Sequence, residues 1–328
     1  MGILEPRHHV AGQLRDQARA CEAMGSPLYA SLLGRAAEDA ARGGPSWSVL
    51  AAHVAPGRGG AVALRFLAAV HRLVLQGRLP ELARHYPSAG GSTGLPGTWD
   101  AFAQALERYE QEIRELVALP CQTNEVGRCA ALAFGFLEIA AAYGLPLRLL
   151  EVGASAGLNL RWDHFRYDGG GAAFGDPASP VQLTGLWKEA PRGIGAPVSV
   201  VERLGCDLQP LDPSLEADRL ALRASIWADQ PLRMARLNGA LAVALRVPAR
   251  VEQASLERWL PALLAERREG VATVVYHSVV GEYLSDEVRA RFHAALEHAG
   301  VETTPSEPLG WLRLEPTSEV RHHALTLT

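Results

Sequence analysis

The run Leu149-Leu150-Glu151-Val152-Gly153-Ala154-Ser155-Ala156-Gly157-Leu158-Asn159 constrains the fold of this chain more than any other feature. Residues 147–152 are apolar and of strand length, 153–157 are small, and a helical pattern resumes at about Leu158. Strand, tight turn and helix in that order open an α/β layer rather than a hairpin. Glycines at both ends of the turn permit left-handed backbone and close approach of a ligand, toward which the helix start aims its amides. The same alternation continues downstream. Residues 198–202, 224–227, 250–253 and 271–275, the last continuing into His277, read as strands. Helices are expected from Asp229-Gln230-Pro231 to about Leu245, over 256–266, and from a Ser285 cap to His298. Residues 311–314 and 324–327 are expected to close the sheet as a hairpin.

Before Pro120 the pattern is different. Ser26-Pro27 supplies a helix cap and a first-turn proline ahead of a stripe of Leu28, Leu32, Leu33 and Ala36. Gly59-Gly60 precedes another helix with Ala63, Phe66, Leu67, Val70, Leu73 and Val74 on one face. The expected organisation is a helical domain over 1–120 and an α/β domain over 121–328. Residues 161–223 form an insertion longer than such a core requires.

Composition narrows the function classes. With 48% hydrophobic and 21% charged residues the chain of 328 residues is globular, and a net charge of −4 gives no excess of the kind that draws proteins to nucleic acid. The alanine-rich stretch 129–143 is too short and too weakly apolar to span a bilayer, and no signal peptide is read at the start, so a cytoplasmic protein with no membrane partner is expected. Cys21, Cys121, Cys129 and Cys206 lack C-x-x-C spacing, and the pairs His8-His9 and His322-His323 share no helix face, so no metal site is expected. Lys188 is the single lysine, which disfavours Schiff-base and P-loop chemistry.

The turn itself narrows the ligand. Ser155 stands where a dinucleotide fingerprint needs its middle glycine and Leu158 where it needs its last, and no lysine follows for a phosphate loop. Glu-x-Gly-x-Ser-x-Gly resembles the first motif of class I S-adenosylmethionine-dependent methyltransferases. That resemblance implies a Rossmann-like sheet with helices on both faces. It also implies a cofactor site at Glu151, Gly153, Ala154, Ser155, Gly157 and Asn159, with Glu151 meeting the methionine ammonium. Asp229 and Gln230 match the place of a ribose-holding acid, and Ser255 and Leu256 the strand end that reads adenine, although an aspartate is usual at 255. Tyr276 and His277 fall in the fourth motif and, with Glu282, are the candidate bases for a protonated small-molecule acceptor. The same residues also fit a G-x-S-x-G nucleophile elbow, with Ser155, Asp229 and His277 in hydrolase triad order. Glu151 opposes that reading, since its charge would destabilise a developing oxyanion.

Gln122, Asn124, Glu125 and Arg128 crowd polar groups beside an apolar helix and are candidates for a cofactor or acceptor wall. Together with Arg203-Leu204-Gly205-Cys206-Asp207-Leu208 and Tyr276-His277-Ser278, they make the chain resemble a bacterial family known as domain of unknown function 2332. Three functions stand as expectations: methyl transfer to a small molecule, hydrolysis through Ser155, or a non-catalytic scaffold that kept the fold.

Overall fold

A computed structural model of the protein describes residues 4–53, 61–266, 268–317 and 323–328; Gly59-Gly60 and His322 lie outside them. The chain divides into a helical unit, Met1–Thr123 with Glu216–Met234, and an α/β unit, Asn124–Leu215 with Ala235–Thr328.

The helical unit contains α1 (Leu4–Ala23), α2 (Pro27–Arg42), α3 (Pro45–Leu50), α4 (Ala61–Leu75), α5 (Pro80–Ala83), α6 (Thr98–Arg108) and α7 (Glu110–Val117). Their apolar stripes meet in one core, in which Leu14, Leu33, Phe66, Leu67, Val70, Phe102, Leu106 and Ile113 are fully buried. Each such side chain stabilises by about 1.5–3 kcal/mol relative to exposure. Ser26 precedes α2 as expected, but its own side chain does not cap the helix. The Leu28 amide donates instead to Asp229 Oδ2 at 3.0 Å, and the Ser26 hydroxyl donates to Asp229 Oδ1 at 2.5 Å.

Asp229 reaches this place because 224–227 is not a strand. Residues Glu216–Ala224 form a helix, labelled α9 because α8 (Cys129–Tyr143) precedes it in the chain, and a turn leads from it to Pro231. The residues on which the strand reading rested, Ala224, Ser225, Ile226 and Trp227, are buried, and Trp227 with the neighbouring Ala228 belongs to the helical core. Periodicity in so short an apolar run does not separate a strand from a buried turn.

In the α/β unit, β1 (Leu147–Val152) is followed by three short strands, β2 (Arg166–Gly169), β3 (Ala172–Phe174) and β4 (Gln182–Thr184), which make a small separate sheet in the order β3-β2-β4. The main sheet adds β5 (Val200–Asp207), β6 (Arg250–Gln253), β7 (Ala272–Ser278), β8 (Leu309–Pro316) and β9 (His323–Leu327), in the order β6-β5-β1-β7-β8-β9. All neighbours are parallel except the final β8–β9 hairpin, which forms where the sequence placed it. The strand expected at 198–202 thus runs on to Asp207, and the stretch 161–223 is no single insertion: it holds the small sheet, a core strand and α9.

Both faces of the main sheet are covered at its centre, so β1 and β7 are almost wholly buried. On one face Leu150, Val152, Val275 and Trp311 pack with α11 (Leu256–Ala265) and α12 (Asp286–Val301) through Trp259, Leu260, Phe292 and Leu296. On the other, α8 lies so close that a Cβ on Gly135 would sit 2.3 Å from Leu312, and Phe136 meets Tyr276 edge-on at 5.0 Å between ring centres. The window Val126–Tyr143 around α8 has the length and hydropathy of a membrane span, and 56% of it is buried inside the protein. α10 (Pro231–Ala244) begins near its expected start.

Candidate functional site

The chain leaves β1 toward β5 and β6 on one side, and β7 and β8 extend the sheet on the other. Where strand order reverses, the carboxyl ends of neighbouring strands part and leave a crevice, the usual ligand position in open α/β sheets. The ends of β1 and β7 meet there, with Glu151 paired in register to Tyr276 and Val152 to His277. The glycine turn comes directly after β1, so the fold brings the sequence's main motif to the topological switch.

The turn has the conformation its sequence predicts. Gly153 and Gly157 take φ of +70° and +65°, and Ser155 takes +52°. A side chain at such φ costs roughly 1 kcal/mol, so serine at the middle position is held by its surroundings. The Ser155 amide donates to Asp207 Oδ2 at 2.8 Å, and a Cβ on Gly205 would lie 2.6 Å from that of Ala154. The turn therefore packs directly on the end of β5.

The segment after the turn departs from expectation. Residues Leu158–His164 make a 3₁₀ helix interrupted at Arg161, in place of an α-helix. Arg161 is buried and donates to the carbonyls of Gly157 at 2.6 Å and Val247 at 2.8 Å, and burial pushes its pKa down to about 10. Trp162 stacks between Phe136 and Phe174, which turns the chain into the small sheet. The amides at the start of this segment are already used: Gly153 and Ala154 donate to the Cys206 carbonyl, Gly157 to Ala154, and Leu158 to Asn124 Oδ1 at 3.0 Å. With Ser155 bound to Asp207, the turn offers a ligand shape and a neighbouring carboxyl rather than a row of N–H groups.

That carboxyl is Glu151, 1% exposed. The Tyr276 hydroxyl donates to its Oε2 at 3.1 Å, and no cation forms an ion pair with it among the described residues. Burial raises its pKa to about 8; the Tyr276 bond and the fields of Arg128 and Arg161 act the other way and are outweighed. Glu151 is thus mostly protonated at neutral pH, because a charged carboxylate in so dry a place has too little to compensate it.

His277 lies one residue before the end of β7, 4% exposed and packed against Phe292 and Trp311. Its Nδ1 lies 2.6 Å from Glu315 Oε1, so the proton sits on Nδ1, and the buried Nε2 has no hydrogen-bond partner. Glu315 also accepts from the amides of Val280 at 3.0 Å and Gly281 at 3.2 Å. Burial alone would raise its pKa, but these bonds outweigh it and hold the carboxyl below its ordinary value. Val279 adopts φ +56°, an outlier for a β-branched residue. Val280 is then so placed that a Cβ on Gly153 would lie 2.6 Å from its Cγ2.

The expected residues divide between the two units. Arg128 joins the switch point by donating to the Ser278 carbonyl at 2.9 Å, Asn124 holds the turn, and Glu125 caps its own short 3₁₀ segment through the Gly127 amide. Asn159 is buried beneath the turn with Cys129 Sγ 3.2 Å from its Oδ1. Glu282 is exposed. Ser255 stands at the α11 N-cap without a side-chain cap bond, and Leu256 is buried in the core. Gln122, Asp229 and Gln230 belong to the helical unit. The carboxylate at a sheet-strand end is Asp207, not Asp229, and the sequence reading missed it by ending β5 five residues early. The alternation of Leu204 and Cys206 across Gly205, followed by Asp207, was the available signal. The hydrolase triad is not formed, because Glu315 occupies the Nδ1 position assigned to Asp229 and Nε2 receives no bond from Ser155.

Groups of His, Cys, Asp and Glu able to hold a metal are absent among the described residues. Neither a curated protein nor a solved structure matches the chain. The family profile described as "Uncharacterized protein conserved in bacteria (DUF2332)" matches residues 11–328, with the glycine turn, Glu151, His277 and Glu315 inside that span, and the chain belongs to that family.

Proposed function

We propose that the α/β unit binds S-adenosylmethionine at the glycine turn and transfers a methyl group to a small molecule. The observation that carries this reading is Glu151, an ionisable group buried at the switch point with a single phenol for company. An unpaired buried acid is costly, and a cationic ligand group is the simplest compensation for it. The donor set suits the cofactor: Glu151 for its ammonium, Gly153 for close approach, and Asp207 for the ribose hydroxyls. Asp207 already accepts from the amides of Ser155 and Gln209, and a carboxylate has lone pairs for further donors. When bound, S-adenosylmethionine supplies a methyl group on a sulfonium. The chain's own part is to align the acceptor with that group and exclude water, with Tyr276 and His277 nearest the strand ends.

Isothermal calorimetry with S-adenosylmethionine and S-adenosylhomocysteine tests this. Binding of either is expected to release a proton at pH 7, because the ligand ammonium ionises Glu151, and the release appears as a dependence of the heat on buffer ionisation enthalpy. Glu151→Gln should weaken binding at least about tenfold and abolish the proton release. Absence of heat with both ligands would sink the proposal. The scaffold reading would then lead, favoured by the turn amides that are already satisfied internally.

A further inference from the structure

The segment between β7 and α12 packs on the sheet core through Val280 and Leu284, yet its backbone and surface carry features that this packing and the proposed chemistry do not require. Val279 is in the left-handed region, Val280 lies against Gly153, and Tyr283 is 77% exposed although large and apolar. A β-branched residue stays at positive φ only where its surroundings over-determine it. The Leu314 carbonyl, which accepts from the Val279 amide at 2.9 Å, and one carboxylate hold it there. Glu315, on β8, accepts from the amides of Val280 and Gly281 and from His277 Nδ1. The same Oε1 receives both the His277 and the Val280 bonds, and Oε2 receives the Gly281 bond, so one carboxylate couples the position of the segment to the orientation of the imidazole. The 3₁₀ turn Gly281–Tyr283 is short, and Arg289 on α12 ties its far end by donating to the carbonyls of Gly281 and Leu284.

We propose that residues 279–284 form a lid over the glycine turn and that Glu315 is its latch. In the closed form Val280 fills the space above Gly153, the approach that glycine there leaves open. Access by a ligand requires the lid to lift, which breaks the two amide bonds to Glu315 and relaxes Val279. Glu315 is a positioning residue and touches no ligand. The proposal deepens the reading of the turn as the ligand's place and rests on it, but the latch itself is measurable without a ligand.

Hydrogen–deuterium exchange on the full chain gives that measurement. Glu315→Gln keeps the side chain's size and removes the charged acceptor, and is expected to speed exchange over 279–284 about tenfold while peptides from β1 and β7 keep their wild-type rates. In the wild type the Val280 and Gly281 amides should open locally, at a rate insensitive to low urea, whereas β7 opens only with global unfolding. That arm decides the matter even if the variant fails to fold. Val280→Ala, with the latch intact, should speed association of S-adenosylhomocysteine. An unchanged 279–284 rate in Glu315→Gln, a rise shared equally by β1 and β7, or wild-type lid amides that open only globally would overturn the latch. Unaltered association in Val280→Ala would overturn the covering role of Val280. If S-adenosylhomocysteine binds neither protein, the methyl-transfer reading falls and the exchange data alone judge the latch.

Discussion

His71 in the helical unit and Glu151 in the α/β unit are both fully buried ionisable groups, yet they are accommodated in opposite ways. His71 uses both ring nitrogens: Nδ1 lies 3.2 Å from the Ala224 carbonyl oxygen and Nε2 2.7 Å from the Ser88 hydroxyl. Burial pushes its pKa down to about 4, so it stays neutral and fully partnered at neutral pH. Glu151 has one phenol, and burial pushes its pKa up to about 8. Complete partnering marks a group that holds a structure together. Incomplete partnering, at the switch point where open α/β sheets usually place ligands, is what the proposed ligand role of Glu151 rests on.

The largest effect that would sharpen this comparison is a pH trend of opposite sign in the two units. Glu151 binds a proton more tightly in the folded state, so its contribution is complete below the unfolded carboxyl pKa and is lost as pH rises through about 8. Over that window the wild-type α/β unit should lose on the order of 4 kcal/mol relative to Glu151→Gln. His71 has a depressed folded pKa, so the helical unit should lose on the order of 3 kcal/mol as pH falls from about 6.5 to 4. Peptide-resolved exchange in mild denaturant across pH 4–9 separates the two; parallel trends would mean that the two burials are alike.

Next in size is Gly153→Val. A β-branched residue at φ +70° that also collides with Val280 should cost about 3 kcal/mol in urea unfolding and eliminate cofactor binding. An unchanged cofactor affinity in the folded fraction would remove the turn from the site. Asp229→Ala strips the Leu28 amide and the Ser26 hydroxyl of their acceptor and should cost about 2 kcal/mol. It should leave cofactor affinity unaltered, so a binding defect larger than the stability defect would return Asp229 to a ligand role. The smallest effect is expected at Ser155. Replacement by glycine relieves its positive φ and should stabilise by up to about 1 kcal/mol, and a fluorophosphonate probe should leave the wild type unlabelled. Stoichiometric labelling of Ser155 would instead require His277 to leave Glu315 and serve a nucleophile.

The centre of the sheet was legible because buried parallel strands are dense apolar runs between turn residues, whereas the edge strand Arg250–Gln253 is mostly polar and was placed by its position between two helical patterns. Residues 147–152 and 250–253 match their strands to the residue, and the terminal hairpin formed in place. The run 224–227 misled for the same reason, since a buried turn can be as apolar as a strand. The small sheet of β2, β3 and β4 escaped notice because its strands are only three or four residues long and carry Gly169 and mixed polarity. At the site, Glu151 and the glycines were readable, since a positive-φ turn demands particular residue types. Glu315 was not, because nothing local distinguishes it from other glutamates.

Local chemistry, acting through neighbours in the chain, thus determined where most strands and helices lie, that glycine must flank the turn after β1, and that an acid lies one residue before the end of that strand. Which acid lies beside which donor was a tertiary matter. Asp229 and Ser26 stand 203 residues apart in sequence, Asp207 and Ser155 stand 52 apart, and Glu315 and His277 stand 38 apart. Only strand order and helix packing bring such groups within 3 Å. Burial, which decides that Glu151 is held as an acid and His71 as a base without its proton, exists only once the chain has folded around them.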